Sequence, residues 1–460
     1  MFGTGEYTDM IDTSYYTGSI AELYDDGVII DIAEYLEYMP NFKALIESDK
    51  DFYRAVYNDE GKILELKQHN VDEELKWGGL VYRHDILETM TGGNVAFPSG
   101  NDYPTTIADW DYMLPLFKMY FEAAGMPESA ALILPSNGII PTSELLNGFG
   151  TAYMYYRDGD TVKFGPFEEG YYNYVKKMSE WYQAGYIYQD FASRTNDLFY
   201  LPNTALTYGG AAGAWFGLVS QVGDVMSMPE YNLFFDVRPA TGPIDEASGQ
   251  KTAPAFNVNN KSDHGSGTVI TSKCENIPKL LSALDYMYSD EGAMMRTYGL
   301  TKEQGAAENE YYQAAGLEEG VYWFEGNDFV FNPLTTAAGG TIDVEPLMGN
   351  KLPAKTIAKY TQIYSKDLEV EASEKWTKYA DDTKKSLPNS LSADIEDEVT
   401  LADNNVRLQD YINAEIPKFI MGTTELNDTN WQSFQDQLKA YGASDNIEIL
   451  QAAYERFLER

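Results

Sequence analysis

Apolar positions along this chain follow two spacings, one helical and one strand-like. At 80–82, Leu80, Val81 and Tyr82 form a short run of strand-forming residues that stops at Arg83, His84 and Asp85. A loop rich in Gly, Asn, Ser and Pro follows. Thr106, with Asp109 three residues on, then reads as a capping box that opens a helix. Trp110, Met113, Leu114 and Phe117 fall at i, i+3, i+4 and i+7 on that helix, with Pro115 expected to kink it. The stretch 77–110 thus reads as a strand ending in charge and handing over to a capped helix, a place for the chain to leave one lobe and enter another.

Upstream, the pattern predicts a strand or loop around 10–12 and a helix over 19–24 ending at Asp26-Gly27. The helical face of Ile32, Tyr35 and Leu36 ends at Pro40. A further helix over 43–53 and a strand over 62–67 flank the turn Asn58-Asp59-Glu60-Gly61. Downstream, 131–134 is strand-like, and 153–156 with 161–164 make a hairpin around an Asp-Gly turn. Tyr171, Tyr174, Val175, Met178, Trp181 and Tyr182 lie on one stripe of a long helix that Gly185 ends. Residues 205–217 read as a strand running into a small-residue loop that carries Trp215 and Phe216. A strand at 268–271 precedes a helix capped by Asn276. From about 356 the chain is mostly helical, is broken at Pro388, and closes on an amphipathic helix. Strands and helices alternate, which argues an α/β architecture.

At 460 residues the chain exceeds what one core usually holds, and two or three domains are expected. Hydrophobic residues at 44% and charged residues at 23% describe a globular protein. No apolar run approaches the roughly 20 residues needed to span a membrane. The opening M-F-G-T-G-E-Y has neither the basic nor the apolar region of a signal peptide. Lys and Arg number 33 against 72 Asp and Glu, a net charge of -39. Such a surface repels phosphate backbones and anionic lipid, so nucleic acid is not an expected partner; the plain reading of the charge is solubility. The lone Cys274 excludes an intrachain disulfide and any multi-cysteine zinc site, and leaves the compartment open.

Motifs for chemistry are sparse. His69, His84 and His264 are far apart, none sits in H-E-x-x-H, and no calcium-loop pattern occurs, so no metal is expected. No phosphate-binding glycine motif is present either, and no cofactor is expected. Gly209-Gly210-Ala211-Ala212-Gly213 reads as close packing or a ligand loop. No nucleophile elbow exists and Cys274 has no His nearby, so no catalytic residue is assigned. A carboxylate pair for glycoside cleavage stays compatible with 72 acids, because two acids at the right separation need no sequence spacing. What remains is aromatic: 14% of the chain, with 36 Tyr. Tyr15-Tyr16, Trp77, Trp215-Phe216 and Tyr322-Trp323-Phe324 fall in loops at strand ends, whereas Trp110 and Trp181 fall on packed helical stripes. Trp215, in G-A-W-F-G, is either a ligand platform or a lid over core. Flat rings beside carboxylates and amides suit a sugar, with its C–H face and hydroxyl rim.

Several stretches carry a resemblance in order along the chain. T-G-E-Y-T-D-M-I (4–11) resembles S-G-x-x-P-D-I-I, with Asp9 on the Asp. Residues 15–32 resemble an aromatic loop, a helix and G-x-x-x-D-L, and D-E-G-K-I-L (59–64) resembles D-G-K-x-Y. L-V-Y-R-H-D-I-L (80–87) resembles a lobe-crossing L-x-Y-R-K-D-x-L. G-A-A-G-A-W (210–215) resembles a segment whose Trp stacks on sugar, and 267–286 resembles the return into lobe one. F-I-M-G (419–422), Trp431 and Q-A-A-Y-E-R-F (451–457) resemble a C-terminal signature. Together they resemble the extracellular solute-binding proteins of ABC importers, in the carbohydrate-binding family that includes maltose-binding protein, and most of all its branch of Gram-positive lipoproteins.

The resemblance implies a two-lobed, periplasmic-binding-protein-like α/β fold with crossing hinge segments and a helical C-terminal region. Lobe one would be 1–82 plus 266–325, and lobe two 83–265 plus 326–460. The chain would begin inside lobe one, N-terminally incomplete, without the lipobox and first strand and helix. Implied partners are a carbohydrate ligand and the permease subunits, for a monomer tethered to the cell surface only by a lipid anchor outside this chain. The ligand-binding residues expected are Asp9, Tyr15, Tyr16, Trp77, Tyr82, Arg83, Trp215, Phe216 and Trp323. His84 in place of a lysine would keep charge at the hinge and make it pH-sensitive. Two other readings stay open: a binder of peptides or other polar solutes, and a glycan-cleaving hydrolase.

Overall fold

A computed structural model of the chain describes residues 6–14, 16, 18–71, 76, 78–140, 143–193, 196–198, 201–202, 204–222, 235–248, 267–335, 338, 340–343, 353–356, 367–380 and 385–460. The chain opens with β1 (Met10–Asp12) and α1 (Ile20–Asp25). Ser19 caps α1, its Oγ accepting the Glu22 N–H at 3.2 Å. After a 3-10 turn over Ile32–Tyr38 come α2 (Pro40–Ser48) and α3 (Lys50–Val56). The turn carrying Ile32, Tyr35 and Leu36 ends before Pro40, as expected, and Pro40 also begins α2, because the first turn has no use for the N–H that proline lacks. The helix expected over 43–53 is split at Asp49, whose carboxylate accepts the Asp51 and Phe52 N–H groups and starts α3 afresh.

Next are β2 (His69–Asn70), β3 (Gly78–Arg83), α4 (His84–Thr91) and α5 (Ile107–Ala123). The capping box at Thr106 and Asp109 is present, and α5 runs on through Pro115. β4 (Ala130–Leu132) and the short α6 (Glu144–Asn147) precede the hairpin of β5 (Tyr155–Asp158) and β6 (Thr161–Phe164). Then follow α7 (Glu169–Gln183), β7 (Asn196–Leu198), β8 (Leu201–Pro202), α8 (Thr204–Tyr208), β9 (Ala212–Leu218) and β10 (Val237–Pro239). β11 (Thr268–Ile270), α9 (Ile277–Asp285), α10 (Asp290–Tyr298), α11 (Glu310–Ala315), the hairpin β12 (Tyr322–Glu325) and β13 (Asp328–Phe331), and β14 (Lys355–Thr356) come next. The end is helical: α12 (Asp367–Ala380), α13 (Ile395–Met421), α14 (Asp428–Ala440) and α15 (Ala443–Glu459).

The molecule has two lobes, each with its own sheet and core. In the smaller, β1 pairs antiparallel with β11, and bridges from Ile29 and Leu66 line the other edge of β11. The strand expected over 62–67 is reduced to that single Leu66 bridge. Ile32, Phe42, Phe52, Leu66, Ile270 and Leu281 fill this core. In the larger lobe a sheet of order β10-β3-β9-β4 is packed by α5, α7, α12 and α13 around Trp110, Phe117, Tyr174, Trp181, Trp215 and Ile412. Leu80, Val81 and Tyr82 belong to this larger core.

Two sequence expectations change here. The small-residue segment carrying Trp215 and Phe216 is not an open loop but the central strand β9, paired with β3 and β4. Alanine and glycine precede the rings because a helix presses against that strand: a Cβ on Gly213 would meet the Phe117 ring at 2.5 Å. His84 does not hold charge at the hinge. It is buried, and burial, reinforced by the Arg238 guanidinium, lowers its pKa so that the neutral form prevails at pH 7.

Candidate ligand cleft

A cavity of about 920 Å³ lies where the two lobes face each other. One wall is smaller-lobe chain: α1 with its cap, the end of α3, and the turn at 58–62. The other wall is the segment 389–394 leading into the first turns of α13, with Arg460 beyond α15. α15 itself packs on the larger lobe, where Tyr454 and Phe457 meet Val162 of β6. Tyr24 and Tyr57 offer rings to the cavity, and Ser19, Ser390 and Ser392 offer hydroxyl-bearing positions. Gly18 also lines it. Its lack of a side chain lets the Tyr16 ring lie against it, since a Cβ there would meet the Tyr16 Oη at 2.5 Å.

Two contacts tie the walls together. At the rim, Asp59 Oδ2 accepts Arg456 Nε at 2.7 Å and Oδ1 accepts Arg460 Nε at 2.7 Å. Arg460 also donates to the carbonyls of Arg54 and Tyr57, and Arg54 donates back to the Leu458 carbonyl at 3.1 Å. Burial pushes the Asp59 carboxyl up, but the two guanidiniums outweigh it and hold it below the usual carboxylate range. Inside, Glu398 of α13 hydrogen-bonds Ser19 of the smaller lobe. Burial raises its pKa, opposed by bonds from Ser19 and the Ala393 backbone, with Glu22 adding to the rise.

The entry of β3 into the larger lobe is braced by α12. The Lys76 N–H donates to Thr377 Oγ1 at 2.7 Å, and Ser373 Oγ donates to the Lys76 carbonyl at 2.7 Å. Trp376 lies flat against Gly79, where a Cβ would meet its ring at 2.6 Å. Its indole N–H reaches the carbonyls of Leu80 at 3.3 Å and Ala240 at 3.1 Å.

The expected ligand residues are scattered relative to this cavity. Tyr82, Arg83, Trp215 and Phe216 come together, but inside the larger lobe around β3 and β9, all buried. Arg83 forks onto Asp85 at 2.7 and 2.6 Å, donates to the Gly210 carbonyl, and stacks 4.0 Å over the Phe235 ring. It therefore fixes the start of α4 and the turn before β9. Trp215 presents no open face: its ring is sealed in the core and its Nε1 donates to Gln221 Oε1 at 3.3 Å. Its small neighbours serve strand packing instead. Asp9 is exposed at the start of β1, its carbonyl accepting the Thr271 N–H. Tyr16 is half-buried against Leu23, Ile29 and Leu64. Trp323 sits half-buried on the β12–β13 hairpin and donates to Glu325 at 3.0 Å. Tyr15 and Trp77 lie outside the described residues.

None of the described candidates lines the cavity. Its walls come from residues that sequence reading passed over as an ordinary turn, a helix start and a helical tail. The one local signal was the cluster of acids at 394–398 beside Ser390 and Ser392, polar residues in a segment that has to leave a helix break. A second hollow of about 730 Å³, lined by Pro135, Asn137, Asn413 and Met421, belongs to the larger lobe alone. Among the described residues no group of His, Cys, Asp and Glu is arranged to hold a metal, and no helix is long and apolar enough to cross a membrane.

No protein-family model and no curated protein matches the chain. Solved structures do. An HMO binding ABC-transporter associated solute binding protein from Bifidobacterium longum infantis aligns over 99% of this chain and 88% of its own, with a TM-score of 0.72 and 17% identity. The S. pneumoniae ABC-transporter substrate binding protein FusA, in complex with kestose, aligns over 99% and 89%, at 0.67 and 19%. The alginate-binding protein AlgQ2 aligns over 99% and 87%, at 0.67 and 17%. Over nearly its whole length, this chain has the two-lobed, periplasmic-binding-protein-like fold of ABC-transporter solute-binding proteins.

Proposed function

We propose that the chain is the solute-binding component of an ABC importer, holding a sugar or oligosaccharide between its lobes and passing it to a membrane permease. The observation that carries this reading is the interlobe cavity. Its volume of about 920 Å³ is in the upper part of the range for small-molecule sites, roughly 300–1,000 Å³. Rings, hydroxyls and carboxylates from both lobes converge on it, the mixture a polyol with C–H faces calls for. A ligand touching both walls favours the closed state by its differential contacts, and closure then serves as the signal to the permease. The hollow at Asn137 touches one lobe and offers no such coupling. Two of the fold neighbours are named for kestose and alginate, which supports a carbohydrate.

Within this reading the chain already belongs to the larger lobe at Leu80, because Leu80, Val81 and Tyr82 pack in the larger core. That is upstream of a division at 82. Tyr82, Arg83, Trp215 and Phe216 act as hinge structure, while Tyr24 and Tyr57 stand nearest the ligand. The protein works as an extracellular monomer held at the cell surface by a lipid anchor.

A panel of oligosaccharides in a thermal-unfolding assay tests this, with the recovered glycans analysed for cleavage. An unchanged glycan at 100 times its dissociation constant should add about 2.7 kcal/mol of stability. Release of shorter products would identify a hydrolase instead. The carboxylates of the cavity favour one second reading, a basic peptide as cargo, so tetralysine belongs in the same panel; stabilisation by tetralysine alone would establish that reading.

A further inference from the structure

We propose that this cleft discriminates by charge, admitting neutral or amine-bearing glycans and turning away uronates. The inference rests on the reading of the interlobe cavity as the ligand site; the cavity defines the site, and the charges define what it accepts. Among the described residues, ten carboxylates and three basic side chains line it. Each of the three bases already holds an acid. Lys62 is bonded to Glu60 and stands 4.5 Å over the Tyr24 ring. Lys67 lies 3.2 Å from Glu65, both largely buried. Arg460 is paired with Asp59, and its other N–H groups serve backbone carbonyls and the Ser392 hydroxyl.

The acids are not balanced in the same way. Glu22, Glu396 and Asp397 make no ion pair among the described residues. Glu396 and Asp397 sit in the first turn of α13, where the helix dipole explains their presence. Their effect on a guest is the same whatever put them there. A uronate entering the cavity has to take a cation from its partner or sit uncompensated beside carboxylates. Juxtaposed like charges suppress a wrong partner in this way without any added contact to the right one. A primary amine on the sugar meets the opposite situation.

The test uses the full chain and four neutral probes: cello-, malto-, manno- and galacto-tetraose. Each is titrated calorimetrically beside its C6-carboxylate counterpart, with β-1,4-glucosamine tetramer as the amine probe. Whichever neutral tetraose binds, its uronate should bind at least about tenfold more weakly at 0.01 M salt. The gap should shrink at 0.15 M, where the Debye length falls from about 30 Å to about 8 Å. The double variant Glu396→Gln, Asp397→Asn should narrow the gap while keeping its affinity for the neutral tetraose, which also shows that it is folded. A uronate that binds as well as its neutral partner overturns the inference and leaves the sugar-binding reading standing. A gap unchanged in the double variant assigns the discrimination to the net charge of -39 on the whole surface, and overturns its assignment to the cleft. Binding of no tetraose at all removes the underlying reading.

Discussion

Asp109 shows how much one side chain can hold in this protein. Fully buried, it accepts the backbone N–H groups of Ser99, Thr105 and Thr106 at 2.8, 2.8 and 2.9 Å, and so fastens the loop before α5 to the helix it caps. Burial alone would raise its pKa, but these donors outweigh burial and lower it. Asp109→Ala leaves three donors without an acceptor. Loss of hydrogen bonds to a charged group should cost about 1.5–3 kcal/mol, read from urea unfolding. The sign of the linkage adds a second readout. A depressed carboxylate contributes stability above the ordinary Asp pKa and loses it as pH falls through the lower, folded value. The wild-type chain should therefore lose stability in acid more steeply than the variant. This residue was legible in the sequence because a capping box is a contact across three positions. Trp215 was not: a ring flanked by glycine and alanine looks exposed until the helices that need that thinness are in place.

At the scale of elements, the join between β3 and α12 carries the most consequence. Gly79 and Trp376 lie far apart in the chain and depend on each other, since any Cβ at 79 would run into the indole. Gly79→Ala should destabilise by about 1–3 kcal/mol through overpacking. Trp376→Ala should cost about 3–5 kcal/mol through the cavity it leaves. The double variant should cost clearly less than the sum, because the methyl group introduced at position 79 then points into the vacated space; equilibrium unfolding of all four proteins measures the coupling. His84, at the start of α4, gives a pH signature to the same region. Its folded pKa is lowered, so its contribution is fully present above about pH 6.5 and is lost as pH falls below that value and the unfolded chain takes up the proton. Unfolding midpoints followed from pH 8 to pH 5 should fall less steeply in His84→Gln. The hairpin β5–β6 and the helix stripe of α7 were readable from period and turn residues alone. The brace at α12 was not, because nothing in the residues 367–380 says which distant strand they will meet.

For the whole molecule, Asp59 with Arg456 and Arg460 links the smaller lobe to the tail of the larger one. The pair is partly exposed, with a quarter of the Asp59 side chain open, and exposed ion pairs are worth about 0–1 kcal/mol. That is minor against the stability of a lobe. It is large against a balance between open and closed forms, where about 1 kcal/mol shifts the ratio about fivefold. Asp59→Asn should leave the unfolding midpoint within a degree or two while raising the radius of gyration measured by small-angle X-ray scattering. A variant with an unchanged radius would show that the link does not govern opening. The two-lobed fold could be read from the order of the matched stretches, which local sequence preserves. The cavity walls could not, because they arise where 18–25, 55–67, 389–403 and Arg460 meet, stretches with no pattern in common.

The brace at Trp376 has an optical consequence. Its indole is sealed from water and bonded through Nε1 to two carbonyls at the point where β3 enters the larger lobe. Any loosening of α12 against β3 as the lobes turn would admit solvent to the ring and move its fluorescence to longer wavelength. Subtracting the spectrum of Trp376→Phe isolates that one emitter from the six other tryptophans of the chain. If that entry serves as the hinge, the protein carries there a label for watching itself open and close without any dye.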